Sequence, residues 1–229
     1  VCSDLPSGIS LNTIPASVPA ASYNIIDIRK DAGLTDSGMN AVPSNGQPSN
    51  AISGDAFTNV TAGSLNVEYD VVPVSADGCV GNMVTIILTI DPEPVLDPTL
   101  NANVCSDLPS GITLLTNGVS VVADHFTITD IRTGFGLQAA AGNATTGQNK
   151  PADAIVADVF TNTTSNVLQV QYDIIPISAD GCEGDPVTII LTVDPEPVMA
   201  PNLNTSVCSD LPIGVNFVTN GISVPAANY

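Results

Sequence analysis

The residues of this 229-residue chain best suited to covalent chemistry are five cysteines, at positions 2, 79, 105, 182 and 208. Cys2 and Cys79 are 77 residues apart, and so are Cys105 and Cys182. Zinc is not expected, because the chain has no CxxC pair and a single histidine. That histidine, His125, would have to carry any Ser-His-Asp chemistry alone. No glycine-rich phosphate loop joins a strand to a helix. No catalytic residue is therefore expected, and the chain reads as a non-enzyme. Asp4, Asp77, Asp91, Glu93, Asp107 and Asp180 are candidate oxygen ligands for calcium. Ordinary Asx-turns and solvated acids account for them equally well, since no EF-hand spacing is present.

These residues sit in an internal repeat. Val1-Cys2-Ser3-Asp4-Leu5-Pro6 returns at Val104–Pro109 and again at Val207–Pro212, each time 103 residues on. The copies define domains at 1–103 and 104–206 and the opening of a third at 207–229. Proline-rich linkers lie at about 91–103 and 194–206. His125 falls where the first copy has Ser22, which argues again against catalysis. A chain that opens and closes inside a repeat is expected to be a piece of something longer, with residues 207–229 forming the first strand or two of the third copy.

The elements that position the cysteines follow from periodicity. Leu65, Val67, Tyr69 and Val71 alternate with polar residues, and Val84, Ile86, Leu88 and Ile90 alternate after them. A period of two predicts two half-buried strands, joined at Ala76-Asp77-Gly78 by a hairpin turn that carries Cys79. Ile9 and Leu11 predict an opening strand. Tyr23 and Ile25 predict another, extended to Ile28 across a bulge. Residues 30–50 read as loops with one or two short strands, and 51–61 holds a strand around Phe57. The expectation is an all-β chain of tandem immunoglobulin-like β-sandwich domains, about seven strands each, arranged as a rod. The proline-rich stretch 91–103 reads as a stiff spacer, or else as an added edge strand for the next domain.

In such a sandwich the first strand begins at the pole that carries the final hairpin turn. That pairs Cys2 with Cys79 and Cys105 with Cys182, and leaves Cys208 for a cysteine beyond the fragment. Pairing Cys79 with Cys105 would instead join opposite poles. The same reasoning gathers Asp4 with Asp77, and Asp107 with Asp180, with Asp91 and Glu93 approaching the next domain's pole. A disulfide in every repeat implies an oxidising, extracellular setting.

Composition narrows the partners. Four Lys and Arg face 23 acidic residues, a net charge of −19. Nucleic acid is not expected as a partner and anionic membrane surfaces are disfavoured, because binding them needs clustered cations. No apolar run approaches the roughly 18–20 residues of a membrane helix. Trp is absent and aromatics are 4%, which disfavours stacking on sugars. Asn59, Asn143, Asn162 and Asn204 head N-x-S/T patterns that a chain this rich in Asn and Thr produces by chance. Arg29 and Arg132 occupy the same position of both copies and are expected to pair with Asp27 and Asp130.

Tyr69, Pro73, Ser75, Gly78, Cys79 and Gly81, then Pro92 and Pro94, then Val104, Cys105 and Ser106, resemble the PKD-like repeats of giant cell-surface proteins of Bacteroidota. The resemblance covers both full copies and is weakest in residues 30–50. It implies extracellular PKD-like modules of a long adhesin exported by the type IX system, of the gliding-motility kind. It implies a stalk whose partners are neighbouring repeats of the same chain, and it brings no catalytic residues. Surface glycans or other cell-surface proteins would be met through other regions. A glycan- or calcium-binding module and an accessory region of a large secreted enzyme are the competing readings.

Overall fold

The alternation of the hairpin is realised in the longest strands of the computed structural model, which describes residues 1–228. Two compact units are present. The first comprises residues 1–96 with 116–124 and 176–185; the second comprises 97–115, 125–175 and the chain from 186 onward. These units do not follow the repeat boundaries.

The first unit contains β1 (Ala20–Lys30), β2 (Leu34–Asp36), β3 (Ser44–Gln47), β4 (Phe57–Asn59), β5 (Leu65–Ser75) and β6 (Val84–Ile90). An antiparallel sheet runs β3-β1-β5-β6, and β2 pairs with β4. Val67, Tyr69 and Val71 of β5 point to one face with Tyr23, Ile25, Leu88 and Ile90. Leu11, Leu34, Ile52 and Phe57 close the core from the opposite layer. The register of β1 slips between Ile25 and Asp27, the bulge anticipated from the sequence. One extra residue resets the phase, so Ile25 and Ile28 both meet the core although three positions separate them.

The second copy of the repeat follows the same plan with β8 (Ala123–Thr133), β9 (Gln138–Ala139), β10 (Gly147–Lys150), β11 (Phe160–Thr161), β12 (Leu168–Ser178) and β13 (Val187–Asp194). It adds β7 (Ala102–Cys105), parallel to β13, in a sheet ordered β10-β8-β12-β13-β7. The fold is all-β, with sandwich-like sheet groups in tandem.

Three expectations need correction. Residues 9–11 form no strand. Leu11 is buried, but Ser7, Gly8 and Leu11 donate their N–H groups to Asp55, Ser53 and Ser49. Those acceptors lie in successive tight turns rather than on a strand, so no ladder can form. The segment 91–103 is not a passive spacer either. Pro92, Glu93, Pro94 and Leu96 are buried, Val95 N–H donates to Ser120 Oγ, and Ile190 N–H donates to Asn101 Oδ1. Its last residues start β7. Finally, residues 207–228 contain no strand and are mostly exposed. In the complete copies the opening stretch is held by turns about 40 residues further along, such as Ser49 for Leu11 and Ala152 for Leu114. Tyr229 lies outside the described residues.

Candidate functional site: the cysteine poles

Cys2 lies beside Asp91, in a parallel bridge just past the end of β6. Asp91 N–H donates to Val1 O at 2.7 Å, and Ser3 N–H donates to Asp91 O at 3.0 Å. Cys79 sits in the turn before β6, where Ser75 N–H reaches Cys79 O and Gly78 takes φ 78°. The whole of β6 lies between the two cysteines, about 24 Å at 3.4 Å per residue. Cys105 faces Asp194 at the end of β13 and is a free thiol, while Cys182 is bonded elsewhere. The expected bonds Cys2–Cys79 and Cys105–Cys182 are therefore not formed. The opening segment runs alongside the end of the last strand, not toward its hairpin.

The disulfide that does form joins Cys2 to Cys182, with Cα atoms 5.3 Å apart and 180 residues between them. It lies inside the first unit, where the hairpin 176–185 packs with residues 1–96. Cys182 is 1% exposed, and Cys79, Cys105 and Cys208 are exposed thiols. The contact is close: a Cβ on Gly184 would stand 1.9 Å from Pro94 O and 3.0 Å from the Pro176 ring. Gly184→Ala is thus expected to destabilise this unit by about 2–3 kcal/mol, since backbone oxygen cannot yield cheaply. Gly81, its counterpart, would meet nothing nearer than the Pro73 ring at 2.9 Å, so Gly81→Ala should cost less. Urea denaturation of both variants decides this; equal losses would remove the steric account.

Of the candidate metal ligands, Asp4 and Glu93 meet each other, and Asp77 and Asp180 lie apart from them. Asp77 and Asp180 are exposed in the hairpin turns. Asp4 is at the opposite end of β6 from Asp77, and its Oδ1 accepts a 2.6 Å hydrogen bond from Thr58 Oγ1. Asp91 Oδ1 accepts from Ser64 Oγ. Among the described residues no group of three or more His, Cys, Asp or Glu could hold a metal ion. What meets instead is a pair of acids, Asp4 with Glu93 and, one repeat on, Asp107 with Glu196.

Burial pushes the Glu93 carboxyl up to about 7, reinforced by the charge and hydrogen bond of Asp4 and the charge of Asp185; Ser3 opposes this with a hydrogen bond. Glu196 is also raised, first by burial and then by the hydrogen bond and charge of Asp107, with Ser106 opposing. The folded-state pKa of Glu93 lies above its ordinary 4.5, so the folded form holds the proton more tightly. Stability associated with this group is then greatest below about pH 4.5 and declines as pH rises toward 7. Glu93→Gln keeps the shape of the protonated acid, with an amide N–H₂ to donate to Asp4 and a carbonyl to accept from Ser3. It should raise stability by about 1–2 kcal/mol at pH 8 and change little at pH 4. Chemical denaturation at the two pH values reads the difference.

Other polar residues have structural roles in both copies. Tyr69 Oη donates to Asp55 at 2.8 Å in the core, as Tyr172 does to Asp158. Burial raises both carboxyls, and two donors to each hold that rise back. Asn59 and Asn162 are fully buried. Their Nδ2 atoms, where a glycan would attach, donate to Ile90 O and Val193 O at 2.9 Å. These two N-x-T patterns are structural turns. Arg29 pairs with Asp27 at 2.9 Å, as expected, and also with Glu68 and Asp70 across the sheet. Arg132 pairs with Asp130 and Asp173. The cross-strand partners were not anticipated, although Asp70 and Asp173 recur at the same position of both copies. His125 is half-buried on β8.

Tandem all-β domains tied by a disulfide are the class of module built for secreted and extracellular proteins. The PKD-like domain family matches residues 37–94 and 110–197, and the chain belongs to it. Among curated proteins nothing matches. Among solved structures, the fibronectin(III)-like modules of CbhA from Clostridium thermocellum align at 13% identity over 85% of this chain and 91% of theirs. The TM-score is 0.23, too low to carry an argument.

Proposed function

We propose that these PKD-like domains are structural repeats in the stalk of a long extracellular cell-surface adhesin, of the gliding-motility kind exported by the type IX system. The stalk has no catalytic role of its own and holds an adhesive region away from the cell. The observation that carries this reading is the Cys2–Cys182 bond, which ties the leading residues of one copy to the hairpin of the next. A covalent tie between copies resists separation under load, which display at a distance requires and catalysis does not. Regularly repeated copies and strong negative charge suit reach and solubility better than recognition.

Live imaging of the source cells with a labelled antibody against one repeat tests this. Signal that moves along the surface supports a mobile adhesin, and static surface signal supports a fixed stalk. Signal confined to the medium rejects both.

A further inference from the structure

The two copies differ in burial at the hairpin pole. In the second copy Pro176, Ser178, Cys182 and Gly184 are buried; in the first, Pro73 and Ser75 are half-buried while Cys79 and Gly81 are exposed. The edge of β13 is covered by β7. At the end of β6, Val1 and Ser3 pair with Thr89 and Asp91 much as β7 pairs with the end of β13; among the described residues no strand lies further along that edge, where Val84 and Ile87 are 57% and 59% exposed. The tail pole differs in the reverse sense. Pro92, Glu93 and Pro94 are buried and Cys2 is bonded; their counterparts Pro195 and Glu196 are half-buried, and Pro197 and Cys105 are exposed.

We infer that the hairpin pole of each repeat is a socket for the tail pole of another copy of the repeat, sealed by a disulfide from the leading cysteine of one copy to the hairpin cysteine of the next. Cys79 takes the leading cysteine of a copy placed before it. Cys105 takes the hairpin cysteine of a copy placed after it. The occupied counterpart specifies the occupant: a Pro-Glu-Pro segment over the turn glycine, then a short parallel strand on the exposed edge of β6.

The bond forms by thiol–disulfide exchange with a small disulfide such as oxidised glutathione. One cysteine thiolate displaces a glutathione thiolate to give a mixed disulfide, and the second cysteine thiolate displaces the other. The two cysteines lose two electrons and two protons, and two glutathione thiols leave with them.

The test is to lengthen the chain and map its bonds without reduction. Appending a copy of residues 127–206 after Tyr229 completes the third repeat and supplies a copy of Cys182. After folding in glutathione buffer and alkylation, mass spectrometry should find Cys105 joined to that appended cysteine. Cys79 and Cys208 should be the cysteines that remain alkylated. In the 229-residue chain Cys105 should be alkylated as well. Bonding of the appended cysteine to Cys208, or alkylation of both it and Cys105, overturns the inference. If the lengthened chain does not fold, placing a copy of residues 1–103 before Val1 puts the same question to Cys79, which should bond the leading cysteine of the added copy. Alkylation of Cys79 there overturns the inference too. The inference rests on the disulfide and not on the stalk reading, and bond mapping comes out the same wherever the protein is displayed on a cell.

Discussion

Replacing Cys2 with serine is expected to lower the melting temperature of the oxidised chain by about 6–12 °C, whereas Cys79→Ser and Cys105→Ser leave it within about 1 °C. The Cys2–Cys182 bond closes a loop of 180 residues. Chain-entropy arithmetic gives such a loop about 5 kcal/mol, and measured disulfides commonly deliver 2–4. For a chain of this size each kcal/mol moves the midpoint by about 2–4 °C. The bond also fixes two segments of one compact unit, so its loss should weaken protection of residues 176–185 in hydrogen exchange. Adding dithiothreitol to the parent should reproduce the Cys2→Ser midpoint and leave the variant's own midpoint unmoved. The comparison with Cys79 is decisive. A within-repeat bond would make Cys79→Ser as damaging as Cys2→Ser, and that result would reject the structure's connectivity.

Asn59→Ala is expected to cost about 3 kcal/mol. The side chain has no exposed surface and makes four hydrogen bonds. Its Nδ2 donates to Ile90 O at 2.9 Å and Gly63 O at 3.0 Å, and its Oδ1 accepts from Thr61 N–H and Thr61 Oγ1. Alanine removes all four and leaves the carbonyl at the end of β6 buried without this donor. A buried group stripped of its partner costs about 1–3 kcal/mol, and more than one group is stripped here. Asn162→Ala should cost the same, because Asn162 repeats the geometry with Val193 O, Asn166 O and Thr164. Asn204→Ala, at an exposed position, should stay within about 0.5 kcal/mol. Urea titration of the three variants supplies the comparison, and a neutral Asn59→Ala would end the structural account of this turn. Expression in a glycosylating host gives a second readout. A glycan is expected at Asn204 and absent from Asn59 and Asn162, where the acceptor nitrogen is committed inside the fold.

Much of the architecture was legible in the sequence because strand periodicity is local. Val67, Tyr69 and Val71 alternate on one strand, and the pleat alone sends them to one face. Gly78 and Gly181 had to supply a positive φ in the turn, and they do. The 103-residue repeat announced that each local feature would occur twice. The opening residues were misread as a strand because Ile9 and Leu11 alternate, yet a strand needs a partner with evenly spaced acceptors, and the turns at 48–55 cannot offer them. The acid pair Asp4–Glu93 was invisible for a related reason. Its members are 89 positions apart, and only the course of the opening segment beside Asp91 brings them together.

The cysteines separate what the sequence determined from what the tertiary structure decided. Five cysteines on a regular spacing specify a disulfide framework and an oxidising setting, whatever the pairing. The repeat makes Cys2–Cys79 and Cys2–Cys182 equally regular, since the second spacing is the first plus one whole copy. Spacing therefore cannot choose between them. The choice depends on which end of the last strand the leading cysteine lies beside, and that is a long-range contact. A disulfide tolerates only about 7 Å between Cα atoms, whereas β6 separates Cys2 from Cys79 by about 24 Å. Once the opening segment lies against Asp91, the bond inside the repeat is out of reach, and the hairpin of the next copy brings Cys182 to 5.3 Å.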